Sequence, residues 1–498
     1  MRKIILLVFA IFLYSNCQSY QKLETQKTKV SNNSKENLIQ WINNKVDSVV
    51  QKNNIPALSI GVIKDGTIIM KKGIGILNRS TKQPTTENTI YQIASDTKKM
   101  TGVVVKNLVN ENKLELDKPI IHYLGSLLKD EAKGKLKNIT LRHLLLHKSG
   151  LPYRQPTMTR KDGEPMLIPY SEKLLLKDLD IVELKPESGT KFGYSNFGYA
   201  IVGYICEIVS KKNFAELIQQ YISKAYDMPN TTIILTNKQK ELLATPYLKE
   251  NRNKETSAFN MGKLSSAGGV YSTINDLTKL MMFQINVYNE KVVSSHPLIL
   301  TENFDNDKYF YGFGLARKSF DKGTKYGHGG DMDGFASDYA FSPEFKSGVI
   351  ILTSSGGKWV GELQKELFAK LTNQKYILPK KSIAQEIYNI ISIKDFKEGK
   401  KWFKQHKKSK KFYLKEQEMN NVGYALLKLD KVDDALEIFK FNTKLFPNSA
   451  NVYNSLAECY FKIGNKELAL SNYKKSLELN PKNSNAKKQI DKVLMDKN

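Results

Sequence analysis

Ser95 and Lys98 stand three residues apart in the stretch Ile93-Ala94-Ser95-Asp96-Thr97-Lys98-Lys99-Met100-Thr101. On a helix that spacing puts a hydroxyl and an amine on one face. A serine hydroxyl becomes a competent nucleophile when a neighbouring base takes its proton. A lysine can be that base once burial or nearby cations bring its pKa down toward neutrality. Lys99 is turned about 100° further round and cannot share the role. Met100, Val104 and Leu108 follow at four-residue steps, so the pattern predicts a helix with one buried stripe and Ser95 at its start. The first N–H groups of a helix lack partners, so a capping serine and a solvated lysine are the bland reading of the same pair. Asp96 is expected to face solvent or to help cap the helix. The meaning of the pair rests on what else the chain carries.

The flanking elements are legible in outline. Ala57–Val62 and Thr67–Met70 are β-rich and flank Lys64-Asp65-Gly66, which predicts a hairpin. Ile139–Leu151 predicts a helix with Thr140 as N-cap and Gly150 as C-cap. His143 and His147 share a face of it, but three leucines and no HExxH glutamate lie between them, so they read as structural rather than metal-binding. Tyr194-Ser195-Asn196 sits in an aromatic, glycine-bearing turn before an apolar helix from Ala200 to Val209. Gly268 and Gly269 precede a helix capped near Asn275. Tyr311–Leu315 and Tyr326–Asp331 bring further glycines beside two strands, Gly334–Phe341 and Gly348–Thr353. Glycines there often mark a close backbone or ligand approach.

The chain of 498 residues suits two or three domains. Its net charge is +27, from 77 Lys+Arg against 50 Asp+Glu. The lysines are spread along the chain and no nucleic-acid recognition motif accompanies them, so nucleic acid is not the expected partner. The densest run, Lys394 to Lys415, holds ten lysines against Asp395 and Glu398. It reads first as a solvated linker face and second as a membrane- or polymer-binding patch. Arg2 and Lys3 precede the apolar run Ile4–Leu13, which is too short to span a bilayer and has the layout of an export signal. Cys17 follows, and the whole resembles a bacterial lipoprotein signal, with Tyr14 and Asn16 departing from the usual Leu and small residue. Lipidation at Cys17 is the expectation, with simple secretion as the alternative. Cys206 and Cys459 sit in apolar helical patterns and read as small core residues, so no disulfide framework is indicated.

Near the C-terminus the chain repeats itself. Ala435, Phe439 and Pro447 recur as Ala469, Tyr473 and Pro481, each 34 residues later. Gly423 has Ala457 at its counterpart. This is a tetratricopeptide pattern with a capping helix from Ser484 to Leu494. Two repeats rarely bury enough core to stand alone, so Ser382–Phe412 is expected to supply an earlier helix pair, or the repeats to dock on the preceding domain.

Ser95-x-x-Lys98, Tyr194-x-Asn196 and His328-x-Gly330 together, in this order, resemble the three active-site motifs of the class C β-lactamase and penicillin-recognising serine hydrolase family. The resemblance covers about Glu36 to Lys370 and implies an α+β domain, an antiparallel sheet flanked by helices plus a helical subdomain. It implies that Ser95 forms an acyl-enzyme and that Lys98 and Tyr194 share the proton work. The Lys98 ammonium is expected to lower the pKa of Tyr194. Asn196 would hold Lys98 and a substrate amide together. His328 and Gly330 would bind substrate, and the backbone N–H groups of Ser95 and Asp331 would form the oxyanion hole. His328 and Gly329 stand where β-lactamases have lysine and threonine. A histidine's charge is conditional, since it titrates near pH ~6.5, and the hydroxyl is gone, which resembles the family's peptidases and esterases.

The expected organisation is a signal with Cys17 over 1–17, a polar tether over 18–35, the hydrolase domain over 36–375, a basic helical linker over 376–415 and an all-α tetratricopeptide module over 416–498. The expected function is an exported serine hydrolase, lipid-anchored to a membrane or periplasmic, acting on an ester or D-amino-acid amide. A D-alanyl-D-alanine carboxypeptidase or weak β-lactamase shares the same residues, and a non-catalytic scaffold that binds a partner protein through its repeats is the third reading. No metal or organic cofactor is implied. Pro152–Tyr170 is the best candidate for a lid.

Overall fold

A computed structural model describes residues 34–158, 169–185, 189–249, 251–289, 296–298, 309–320, 322–376 and 380–495. The expected signal, Cys17, most of the tether and the middle of the lid candidate lie outside the described residues. The chain forms two compact units that divide between Tyr376 and Ile377.

The first unit is built on one antiparallel sheet. Its strands are β1 (Ala57–Lys64), β2 (Thr67–Gly75), β3 (Tyr309–Gly312), β4 (Leu315–Phe320), β5 (Gly323–Met332), β6 (Phe335–Ser342) and β7 (Ser347–Thr353). They lie in the order β2-β1-β7-β6-β5-β4-β3. The first hairpin closes on Asp65 and Gly66, with φ of 51° and 77°. Two left-handed residues give a turn whose twist matches the strands, and Asp-Gly tolerates it. β1 and β7 are buried along almost their whole length, so the sheet needs cover on both faces.

The longer helices of this unit supply that cover: α1 (34–53), α2 (Thr97–Asn110), α3 (Asn196–Ser210), α4 (Ile274–Asn289) and α5 (Trp359–Leu371). One face of the sheet buries Leu58, Ile60, Val349 and Ile351 against Ile42 and Val46 of α1 and Leu363 and Leu367 of α5. The other face packs Ile63, Ile350 and Leu352 with Leu277 and Met281 of α4, and this core runs on into the helical part around α2 and α3.

Three expectations change. α2 is buried on nearly every face from Thr97 to Lys106, not along one stripe, because it runs through the middle of the helical part. The helix predicted over Ile139–Leu151 spans only Leu141–Leu145. Thr140 caps it as expected, and the His143 side chain accepts the Thr140 N–H in return. Beyond it His147 is left-handed, with φ of 55°, which ends the helix before Gly150. The cap of α4 is Thr273, whose hydroxyl accepts the Asp276 N–H.

The second unit is helical: α6 (Ile383–Ile393), α7 (Phe396–His406), α8 (Glu416–Lys428), α9 (Val432–Leu445), α10 (Ala450–Lys462), α11 (Lys466–Leu479) and α12 (Ser484–Met495). The repeat residues Ala435, Phe439, Ala469 and Tyr473 are buried together. A Cβ on Gly423 would stand 2.5 Å from the Phe439 ring, so the close packing of α8 on α9 requires glycine there. Within the stretch 376–415, read as a basic linker, Ser382–Phe412 holds the earlier helix pair that was also expected: α6–α7 contributes Ile383, Ile387, Ile391 and Phe403 to this core. Cys206 and Cys459 are free and buried.

Candidate active site

The nucleophile turn is held from both sides. Tyr91–Gln92 pairs with Tyr271–Ser272, and the Ile93 N–H donates to the Val270 carbonyl at 2.9 Å. A single 3-10 turn, Ala94–Asp96, then leads into α2. Ala94 has φ of 50°. A non-glycine residue there costs roughly 1–3 kcal/mol and persists only when its surroundings fix it. Here the Ser337 hydroxyl donates to the Ile93 carbonyl at 2.8 Å, and β5 presses on the turn at Gly330. A Cβ on Gly330 would lie 2.3 Å from the Ile93 carbonyl oxygen and 2.9 Å from the Ala94 Cβ. Gly330 therefore acts through close approach. No side chain caps α2, so the capping reading of Ser95 and Asp96 is set aside.

Lys98 is fully buried. Its Nζ lies 3.2 Å from Ser95 Oγ, 2.7 Å from Asn196 Oδ1 and 2.6 Å from the Ala267 carbonyl oxygen. Desolvation holds this amine well below the usual lysine range. Gly314, with φ of 88°, packs on the Lys98 backbone, where a Cβ would be 2.1 Å from the carbonyl carbon. That contact and the positive φ require glycine at 314.

The Tyr194 hydroxyl is hydrogen-bonded to Ser95, and the Tyr194 ring stands with its centroid 5.0 Å from Lys98 Nζ. Burial pushes its phenol up, partly offset by the Ser95 bond. This corrects the expectation of a tyrosine lowered by an ammonium: burial outweighs every other influence on the phenol, and what lowers it is the Ser95 bond. Ser195 caps α3 by accepting the Gly198 N–H, and its own hydroxyl donates to the Pro152 carbonyl at 2.7 Å. His147, read from sequence as structural, accepts the Ser195 N–H at Nδ1 (3.1 Å) within a nest formed by Tyr194, Tyr199, Tyr311 and Phe192.

His328 does not offer the conditional charge expected of it. Its imidazole is pushed down to about 3, by desolvation first and then by Lys98. Nδ1 donates to the Gly329 carbonyl at 2.7 Å, which leaves Nε2 to accept from the Tyr311 hydroxyl at 3.0 Å. A neutral ring facing a hydroxyl donor has no cation for a substrate carboxylate.

Asp96 neither faces solvent nor caps the helix. It is fully buried and ion-paired with the equally buried Lys99, whose Nζ lies 3.8 Å from the centroid of the Tyr339 ring. Burial pushes the Asp96 carboxyl up and the Lys99 amine down, each partly offset by the other. Sequence periodicity separated Lys98 from Lys99 correctly but gave no sign that both are inside.

A cavity of about 350 Å³ opens beside Ser95. Ser95, Asn196, Ala267 and Asp331 line its inner part, Phe259 and Met261 an apolar wall. Tyr153, Arg154, Gln155 and Met158 come from the segment after Leu151, and sequence reasoning named none of them individually. That segment is fixed by buried Asp178, which accepts the Thr157 N–H and hydroxyl (both 2.8 Å) and the Tyr170 hydroxyl (2.6 Å). Among the described residues no cluster of three or more His, Cys, Asp or Glu could hold a metal ion.

The sequence model of the Beta-lactamase family matches residues 42–372, most of the chain. The chain belongs to the Beta-lactamase family. A Tetratricopeptide repeat is matched at 450–483. This family member is 26% identical over 365 residues to Protein flp of Staphylococcus aureus (strain MW2), covering 71% of each chain. Its fold is similar to that of a penicillin-binding protein homologue from Pyrococcus abyssi, described as octameric, with a TM-score of 0.59 at 24% identity over 71% of this chain and 82% of that one. It is also similar to a class C β-lactamase from Rhodobacter sphaeroides, with a TM-score of 0.57 at 20% identity over 67% of this chain and 98% of that one. These two likenesses speak for the fold alone.

Proposed function

We propose that this Beta-lactamase family member is an exported serine hydrolase that acts through a Ser95 acyl-enzyme on an ester or a D-amino-acid amide. The carrying observation is the hydrogen-bond arithmetic at Lys98. A neutral amine has two N–H donors and one lone pair. The Asn196 Oδ1 and Ala267 carbonyl take both donors, at 2.7 and 2.6 Å. Lys98 Nζ lies 3.2 Å from Ser95 Oγ, so once the amine is deprotonated its lone pair is the one position left to accept the serine proton. Such an amine is a poised general base.

In this reading Ser95 Oγ attacks the acyl carbon as its proton passes to Lys98. The oxyanion meets the backbone N–H groups of Ser95 and Asp331, where losing one donor costs on the order of 100-fold or more. Tyr194, held protonated by burial, gives its proton to the leaving alkoxide or amine and regains one from the Lys98 ammonium. Water, activated by the same base, then releases the acid. The Asn196 amide nitrogen is free to donate toward a substrate carbonyl, because its oxygen is engaged with Lys98. The neutral His328 favours substrates without a carboxylate at that position, which argues for esters and amides over cephalosporins.

The test uses the chain from Gln18 onward with Ser95→Ala as control. Turnover of a short-chain p-nitrophenyl ester without turnover of a chromogenic cephalosporin, lost in the variant, is expected. Rapid cephalosporin turnover, or ester turnover undiminished in Ser95→Ala, would overturn the reading. Export and lipidation at Cys17 belong to the same proposal, and mass spectrometry of the mature N-terminus tests them. The tetratricopeptide region is proposed to receive a partner protein.

A further inference from the structure

The lysine-rich run has a structure of its own. On α7, Lys397, Lys400, Lys401 and Lys404 fall within an arc of about 100°. The arc points away from Gly399 and Phe403, the two buried residues of the helix. Lys407, Lys408, Lys410 and Lys411 continue it past the helix end. All of these except half-buried Lys400 are exposed. The two acids of the segment lie off this face, and Asp395 is engaged in capping, its side chain accepting the Glu398 N–H at 2.9 Å. Among the described residues none of the exposed lysines of this run from Lys397 to Lys411 forms an ion pair. An ordinary solvated face mixes both signs, and this one does not.

Ile393, the last residue of α6 and three residues before α7, is 84% exposed and followed at once by exposed Lys394. The aromatic residues of the segment are spent internally. Trp402 stacks on His406 with ring centroids 4.2 Å apart and meets the Phe412 ring edge-on. Surfaces that bind single-stranded nucleic acid present aromatic rings for base stacking, and none is presented here; a duplex is left as the competing ligand in the test below. An exposed lysine face with an exposed aliphatic residue close by in sequence suits a different partner. An anionic bilayer attracts clustered lysines without demanding a fixed pattern of contacts, and its headgroup region accepts an aliphatic side chain.

We infer that the lysine face of α7, together with exposed Ile393, docks the second unit on an anionic lipid surface. The inference uses neither the Ser95 chemistry nor lipidation at Cys17.

The experiment is co-sedimentation of the chain from Gln18 onward with phosphatidylcholine vesicles containing or lacking phosphatidylglycerol. This chain keeps every described residue and lacks Cys17, so no acyl chain contributes. Binding is expected only to the anionic vesicles and should weaken as salt is raised. The combined variant Lys397→Glu, Lys401→Glu, Lys404→Glu and Lys408→Glu should bind at least ~10-fold more weakly, since each clustered lysine contributes separately. A charge-matched variant, with Lys137, Lys238, Lys240 and Lys474 changed to Glu, should bind like the parent. The four patch lysines changed to Gln give a second, milder variant, and thermal melting reports folding of each. Equal loss in both Glu variants would reduce the effect to net charge and overturn the inference. So would absence of binding to anionic vesicles, or tighter binding to a short DNA duplex than to the vesicles.

Discussion

The His147 ring lies against the Tyr194 ring, with centroids 4.2 Å apart at 36°, while its Nδ1 accepts the N–H of the next residue, Ser195. One buried imidazole thus fixes both the plane of the tyrosine and the start of the helix that carries Asn196. Burial holds it well below the usual histidine range, with Lys98 and His328 adding to the effect, so it remains a neutral acceptor. His147→Phe keeps a ring but orphans the Ser195 N–H. Chemical denaturation should show a loss of about 1–3 kcal/mol, the cost of a buried unpaired donor. Ester kinetics should show kcat falling by more than KM rises, because the variant misplaces a proton donor rather than a binding wall. An unchanged kcat would mean that His147 only fills space.

The pH dependence follows from two lowered groups. Lys98 must be neutral to accept the Ser95 proton, and its pKa lies well below the ordinary value through desolvation. kcat/KM should therefore rise with pH through that lowered value and then level off. His328, pushed down to about 3, stays neutral across the neutral range. The profile should show no His328 step near pH ~6.5, and His328→Gln should leave its shape unchanged. Stability shares the sign. Unfolding returns Lys98 to an ordinary pKa of ~10.4, so between the two values the unfolded state binds the extra proton and stability grows with pH. Denaturation of Lys98→Met at several pH values should lack this component.

The Asp96–Lys99 pair predicts an asymmetry. Both side chains are fully buried, and Asp96 has no partner that replaces Lys99. Lys99→Met should destabilise by about 3–5 kcal/mol, the cost of stranding a buried charge. Adding Asp96→Asn should recover much of that loss, since the pair's own attraction barely exceeds its desolvation. Urea denaturation of the two variants measures it, and equal stabilities would contradict it.

Gly330→Ala tests the close approach of β5 to the nucleophile turn. The new methyl would meet the Ile93 carbonyl oxygen, which is backbone and cannot swing aside. The strand should move off, taking Asp331 with it. Loss of one oxyanion donor predicts a fall in kcat on the order of 100-fold, with the fold kept. Steady-state ester kinetics and a melting curve separate this from unfolding. Gly329→Ala, whose Cβ would meet nothing nearer than 3.5 Å, is the control and should retain activity.

Local pattern alone carried a good deal. The Asp65-Gly66 hairpin, the two strands after Gly330, the 34-residue period and the pairing of Ser95 with Lys98 all depend on neighbours within a few residues, or on a repeat that sequence displays directly. The tertiary structure decided the rest. Whether Lys98 is a base depends on Ala267 and Asn196, which lie 169 and 98 residues away and remove it from water. The charge of His328 depends on desolvation and Lys98, and the burial of Asp96 on a sheet formed by strands more than two hundred residues later. Spacing along a chain names which groups can meet on one element. Desolvation is a property of the assembled surroundings, and in this site desolvation sets which groups are charged.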